Sequence, residues 1–463
     1  MKEGTAAKGN PFAAAQEMLV RPFAEFDEIK FAQALGYIHT DQELDLLQAL
    51  RFDWDLVPTA DNFRSFVRDR LLEDVLSTHA CRGMHHKTAE QALMALTANL
   101  VHVSQTKPTL HMRISRTHGR ICTIQRYNRT GAGSTVYRKL IDGLVELNLI
   151  ERHIGYYDRY RKRGHQTRIR LTDDMRLTLA RELGEQHQVG AREDAETIIL
   201  RDENKRPIDY EDNSETTAMR GSLSAYNALL QASEIDLERS DEKDRWFDLH
   251  RIDKFRKRYV RIFNRGEFDL GGRYYGPWWV SCPSWIRQHI RINGEHVSEL
   301  DYSAMNVELA YSRIGLKSRD VLGDEDDIYD VPGFEQIDRD IRKRAMLMLL
   351  AANSRKQAVS AINKHALRFY IHLGKGTAEN LIDALVKRHE AISELHFQDL
   401  SLPLQRTESM VSEEVIRQSV EAGIPVLNIH DGFVVPVEEE FEVRGFMEGA
   451  FRALELESIP KIK

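Results

Sequence analysis

Apolar residues recur at intervals of three and four along much of the chain, and this period predicts a protein dominated by amphipathic helices. From Pro11 to about Leu100 the segments EFDEIKFAQAL and QELDLLQAL carry it, and AEQALMALTANLVHV, beginning near Thr88, continues it. Ser134 is the expected N-cap of the next helix, in which Val136, Leu140, Leu144 and Leu147 share one face and Arg138 and Lys139 stand outward. The period then changes. Between Ile150 and Leu171 an apolar and aromatic run, a turn at YRKRGHQ and the alternating TRIRL predict a β-hairpin. Two further β-prone runs, IPVLNI and FVVPV, are joined at His430-Asp431-Gly432, with the glycine where a tight turn needs positive φ.

Helix followed by basic hairpin resembles the winged helix-turn-helix DNA-binding domains. On that resemblance the helix, with Arg138 and Lys139, enters a groove, and Arg159, Arg161, Lys162 and Arg163 of the wing meet phosphates. Seven basic residues against two acidic ones from Glu151 to Arg170 exceed what solubility requires. A plain packing unit with a solvated turn, or a protein-docking module, is the alternative.

Composition adds limits. At 463 residues the chain has room for two to four domains. No apolar run approaches bilayer length and the N-terminus lacks the pattern of a secretory signal, so a cytoplasmic protein is expected. Cys81, Cys122 and Cys282 are odd in number and far apart, which argues against a disulfide framework or a cysteine zinc site. With a net charge of −7, any nucleic-acid binding must come from local basic surfaces. One candidate is HRIDKFRKRYVRIFNRG, expected to be a basic amphipathic helix that either tracks a backbone or is simply solvated. Polarity and acidity over 185–220 suggest a linker. The expected divisions are therefore a helical region at 1–86, a winged-helix-like domain at 87–184, the linker at 185–220, and a final domain at 221–463.

The chemistry concentrates in that final domain. GEHVSELDYSAMNVELAYSRIG predicts a short strand ending at Asp301, then a helix bearing Val307, Leu309 and Tyr311. Asp431 stands at the tip of the second hairpin. Each aspartate has a commonplace alternative, a helix N-cap region or an Asp-Gly turn. Together, a strand end and a hairpin tip of one antiparallel sheet can present two carboxylates to two cations about 4 Å apart, as two-metal phosphoryl transfer requires.

ELDYSAMNVEL resembles motif A of family A DNA polymerases and of the related single-subunit phage-type RNA polymerases, and NIHDGFVV resembles their motif C. Between them DRDIRKRAMLMLLAANS offers Arg339 and Lys343 at the spacing of motif B, four residues apart on one helix face. FDLGGRYYGPWWVSCPSWIRQHI is similar to the segment that approaches template and primer, with Arg273 and Arg287 as its contacts. LQRTESMVSEEVIRQSVEAGI is similar to the helix before motif C, with Gln405 at its head. The resemblance spans roughly residues 260 to 445. It implies an α+β right-hand polymerase, with an antiparallel palm sheet, fingers and a compact thumb from about 220 to 265, behind a mostly helical region containing a winged helix. It implies two Mg²⁺ ions, with Mn²⁺ as the alternative, on Asp301 and Asp431. The Tyr302 backbone carbonyl would add a ligand, Arg339 and Lys343 would neutralise the nucleoside triphosphate, and His430 would lie near the primer terminus on its DNA template.

The pattern departs from the family at two positions. The glutamate expected five residues after Asp301 is replaced by Asn306, and the aromatic expected eight residues after Lys343 by Ala351. Glu308 falls on a different helix face from position 306. Choice between deoxy- and ribonucleotides is therefore left open, with DNA synthesis slightly ahead of priming or RNA synthesis. A wing and a polymerase in one chain suggest an enzyme of a phage, plasmid or mobile element that selects its own start site. The alternatives of another class are a non-catalytic replication initiator or regulator, and a nuclease.

Overall fold

A computed structural model of the protein describes residues 49–117, 121–159, 163–184, 188–238, 252–323, 327–368 and 371–463. The helices expected between Pro11 and residue 48 lie outside that set, as do Arg161 and Lys162. The architecture is mixed α+β with small sheets, and among the described residues no helix is long and apolar enough to cross a membrane. The chain forms two units. The first comprises 1–196 and 239–253, and the second 197–238 and 254–463.

In the first unit β1 (Leu50–Arg51) and β2 (Leu56–Pro58) precede the long helix α1 (His86–Thr106). Ala89, Leu93, Leu96, Leu100 and Val103 of α1 are buried at intervals of three and four, so the helix carries the core. β3 (Met112–Ile114), α2 (Ser134–Glu146) and β4 (Ile150–His153) follow. The two-residue strands β5 (Tyr157–Asp158) and β6 (Arg163–Gly164) then form a hairpin tip, and β7 (Thr167–Leu171) returns from it. The sheet order is β1-β3-β7-β4, and β7 is antiparallel to both β3 and β4. The predicted hairpin is thus present as β4–β7. The predicted cap is not: Gly133 is the N-cap of α2, and the Ser134 hydroxyl is buried without a hydrogen-bond partner. α3 (Asp173–Leu183), capped by Thr172, and β8 (Val189–Ala191), paired with β2, complete this unit.

Residues 188–220 are not a linker. They supply β8, then β9 (Ile198–Leu200), and the start of α4 (Ser214–Ala232), and the division between the units falls after Glu196. Asn213 caps α4 reciprocally with Thr216, at 2.8 and 2.9 Å. The acids there are structural: Glu196 pairs with Arg126 at 3.0 Å, Asp202 accepts the Asn204 and Arg206 amides in a turn, and Glu215 stands in the first turn of α4, roles that composition alone cannot tell from a solvated linker. Nor do 1–86 and 87–184 separate, since buried residues such as Phe63 and Val75 join the same core as α1 and α2.

The second unit continues with β10 (Ile235–Leu237), β11 (Val260–Asn264), β12 (Glu267–Tyr275), β13 (Ile290–Ile292) and β14 (Val297–Asp301). α5 (Met305–Arg313), α6 (Arg339–Ala351), α7 (Arg355–Arg368), α8 (Thr377–Arg388) and α9 (Ser401–Ala422) then precede the hairpin β15 (Leu427–Ile429) and β16 (Gly432–Pro436) and the helix α10 (Glu440–Ala453). One sheet runs β12-β11-β9 and another β14-β16-β15.

The segment expected to be a basic amphipathic helix is extended instead, with residues 252–259 irregular and 260–264 forming β11. Tyr259, Arg261 and Phe263 alternate, and all three are fully buried. Arg261 donates Nε to the Gly272 carbonyl at 3.0 Å and pairs with Glu413 at 2.8 Å, so this arginine staples β11 to α9 instead of meeting solvent. Period two won over period 3.6 because β9 and β12 flank the segment on both edges.

Candidate active site

Strand β14 alternates. Leu300 is buried, while Glu299 and Asp301 turn to the other, exposed face. Its antiparallel register with β16 sets Leu300 opposite Phe433 and Asp301 opposite Gly432, the residue after Asp431. The Tyr302 amide donates to the Asp431 carbonyl at 3.5 Å, and the Asp301 amide and carbonyl bond the backbone of Lys463 on the other edge, at 3.1 and 3.0 Å. Asp301 is therefore held from both sides by backbone pairing.

The positive φ of the hairpin falls on His430, at 59°, and not on Gly432 as expected. Gly432 meets a different need. A Cβ there would lie 3.1 Å from Asp301 Oδ1 and 3.1 Å from the Leu300 carbonyl, so the missing side chain is what admits the Asp301 carboxylate beside the turn. The left-handed His430 is fixed through its own carbonyl, which accepts from Ser412 Oγ at 3.1 Å and from Asn428 Nδ2 at 3.0 Å. Two buried phenols set the depth of β15: Tyr226 donates to the Val426 carbonyl at 2.7 Å, and Tyr259 donates to that of Asn428. Trp279 Nε1 in turn donates to Tyr259 Oη at 2.7 Å. Trp279 is itself fully buried among the core aromatics.

Crowding by protein atoms, and then the charges of Asp431 and Glu299, raise the Asp301 carboxyl to about 7 against the opposing charges of Lys343 and Arg287. Asp301 is nevertheless an exposed residue, so it is crowded on most sides yet open to water on one. Two carboxylates that repel one another, backed by backbone carbonyls, form a hard-oxygen set suited to Mg²⁺ or Mn²⁺, and a bound cation would relieve the repulsion. Among the described residues, no group of three or more His, Cys, Asp or Glu side chains gathers to hold a metal. Tyr302 contributes only backbone here, because its ring is buried and its hydroxyl donates to the Met447 carbonyl at 2.6 Å.

The basic residues divide into engaged and open ones. Lys343 is exposed on α6, with its charge felt at Asp301. Arg339, one turn earlier, is bound by both oxygens of Asp327, and its guanidinium lies 5.1 Å from the centre of the Tyr329 ring. Arg342 is buried and pairs with Asp330 at 2.6 Å. Arg273 is clasped by Glu408, a carboxylate with no exposed surface, and Arg287 by Glu299 and by the Cys282 carbonyl at 2.7 Å. Burial, then the charge of Arg273, lowers the His430 imidazole. Its ring meets Tyr275 edge-on at 5.9 Å. Gln405 is half-buried and donates to Ser401 Oγ at 3.3 Å.

In the first unit Arg138 and Arg159 are exposed, and Lys139 donates to the Arg82 carbonyl at 3.3 Å. Arg163 lies in β6. The three cysteines are free thiols, with Cys81 and Cys282 buried. Sequence reasoning missed Glu408, Asp327, Tyr226 and Tyr259. A lone acid or a lone phenol carries no motif, so only the fold reveals them.

No protein-family model matches this chain, and no curated protein is significantly similar to it.

Proposed function

We propose that the second unit is a template-directed nucleotidyltransferase with a palm-like sheet, related in its motifs to family A and single-subunit polymerases. The observation that supports this most is the register of Asp301 against Gly432, which makes Asp301 and Asp431 neighbours at one end of the sheet, with the Lys343 charge acting on Asp301. The two aspartates, with the Tyr302 carbonyl, would hold Mg²⁺, which supplies charge neutralisation to the phosphoryl group and acidifies the attacking 3′ hydroxyl. Lys343 and Arg339 bind the triphosphate, and His430 faces the primer end. A nuclease has no need of triphosphate-facing cations on α6, and a non-catalytic initiator has no need of the acidic pair.

The first unit is proposed to bind DNA as a winged helix, on the strength of α2 followed by the antiparallel β4–β7 hairpin against β3. Ribonucleotide use is a second reading of the catalytic unit, and a specific contact favours it. The Glu308 carboxylate is taken by the Ser458 hydroxyl, so it is not available to close off the sugar 2′ position.

Incubating purified protein with Mg²⁺, labelled primer-template or bare single strand, and either deoxy- or ribonucleoside triphosphates tests both readings. Extension lost in Asp301→Ala and Asp431→Ala, with DNA binding kept, is the expected result. Full activity in either variant would sink the assignment.

A further inference from the structure

Among the described residues, three of the exposed large apolar side chains fall within four positions of one hairpin: Ile154, Tyr156 and Tyr157, at 64%, 59% and 61% exposure. Such clustering is more than the scattered exposure that surfaces tolerate. The two tyrosines are braced from behind. The Tyr156 ring stacks on His165, with centroids 4.8 Å apart and planes 20° from parallel, and His165 Nδ1 bonds Arg168 at 3.0 Å. Tyr157 lies opposite Gly164, where an added Cβ would touch its ring edge at 3.9 Å. Gly155 makes the crossing possible, since a Cβ there would sit 2.4 Å from the His165 carbonyl. Cross-strand stacking alone explains one face of each ring. It does not explain why the remainder stays open to water.

The surroundings indicate what covers them. Arg152, Arg168 and Arg170 of this hairpin are spent on Asp142, His165 and Glu151. Arg159, two residues after Tyr157, is exposed, and Arg138 on α2 is exposed as well. Exposed aromatic rings with arginine beside them suit nucleic-acid bases, whose π-faces stack while phosphates meet the cations. Within a continuous duplex those faces are hidden in the base stack. We infer that the hairpin engages unpaired bases at the edge of duplex DNA, with Tyr156 and Tyr157 as its stacking platform. This rests on the DNA-binding reading of the first unit and is independent of the polymerase reading of the second.

The test uses the full chain, without nucleotides and in chelator, with a dye-labelled fork carrying unpaired arms and a blunt duplex of the same paired sequence. Fluorescence anisotropy gives both affinities, and 2-aminopurine at the first unpaired position reports stacking. The fork is expected to bind more tightly and to quench 2-aminopurine. Tyr156→Ala and Tyr157→Ala should each weaken fork binding roughly tenfold, leave blunt binding unchanged and restore the fluorescence, while Tyr156→Phe retains wild-type behaviour. Equal losses on both DNAs, or alanine variants that bind the fork like wild type, overturn the inference and leave the DNA-binding reading standing. Binding to vesicles of anionic lipid with no binding to either DNA overturns both.

Discussion

Arg273 donates two hydrogen bonds of 2.6 Å to Glu408, one to each carboxylate oxygen, and Glu408 has no exposed surface. Burial, with a smaller push from the charge of Asp431, raises the Glu408 carboxyl to about 7 against the opposition of Arg273. The pair ties β12 to α9 directly behind the hairpin that carries Asp431. Truncating the arginine strands a buried acid. Arg273→Ala should cost about 3 kcal/mol of stability in urea unfolding at pH 8. Glu408→Gln, which keeps the volume and a hydrogen-bonding group, should cost less. Equal stability of Arg273→Ala and the parent would refute a structural role for the pair.

Asp301 makes stability depend on pH in a defined direction. Its folded value, about 7, exceeds the ordinary 3.8, so the neutral form is favoured in the folded state. The contribution to stability is full below 3.8 and is lost as pH rises through about 7. Asp301→Asn removes the loss, so in metal-free buffer the variant should be more stable than the parent at pH 8 and no more stable at pH 3.8. Solvent reaches the carboxylate, so screening reduces the gain to about 1 kcal/mol. Chemical denaturation at both pH values measures it, and added Mg²⁺ should stabilise the parent but not the variant.

Gly432→Ala probes the close approach of strand and turn. Its Cβ would press on Asp301 Oδ1 and on the Leu300 carbonyl, both at 3.1 Å. For the proposed nucleotidyl transfer the expected outcome is a fall in kcat of about tenfold or more from misplacing the carboxylate. Thermal unfolding should move only slightly. A variant with parental kcat would show that the carboxylate tolerates displacement.

Asp327 occupies Arg339 in this structure. Binding of a triphosphate through Arg339 requires that exchange, so Asp327→Asn should lower KM for the nucleotide several-fold while Arg339→Ala raises it. Steady-state extension assays separate the two. An unchanged KM in both variants would remove Arg339 from the nucleotide site.

His389 is fully buried, with Nδ1 on the Tyr311 hydroxyl at 3.0 Å and Nε2 on the Ile328 carbonyl at 3.2 Å. Burial, and then the charge of Arg388, lowers it to about 4. Its neutral form is favoured in the folded state, so stability is full above 6.5 and falls as pH drops toward 4. Between pH 7.5 and 5 the parent should lose about 2 kcal/mol that His389→Gln does not lose. Urea midpoints at the two values decide this.

Local pattern sufficed for the elements that carry the candidate site. The alternation that ends at Asp301, the apolar stripe of α5, the helix bearing Arg339 and Lys343, and the β4–β7 and β15–β16 hairpins are all written in short-range periodicity, which depends only on backbone geometry. Tertiary structure decided the rest. Burial on both edges turned Val260–Asn264 into a strand and made Arg261 a buried staple. Packing placed the positive φ on His430 and assigned Gly432 to close approach. The acidic stretch from 188 to 220 became strands and a capped helix because its few apolar residues found partners far away in sequence. The partners of the cations, Glu408 with Arg273 and Asp327 with Arg339, arise from separate elements. Sequence placed the carboxylates on their elements, and the sheet register alone made them neighbours, because pairing across strands is a property of the whole fold.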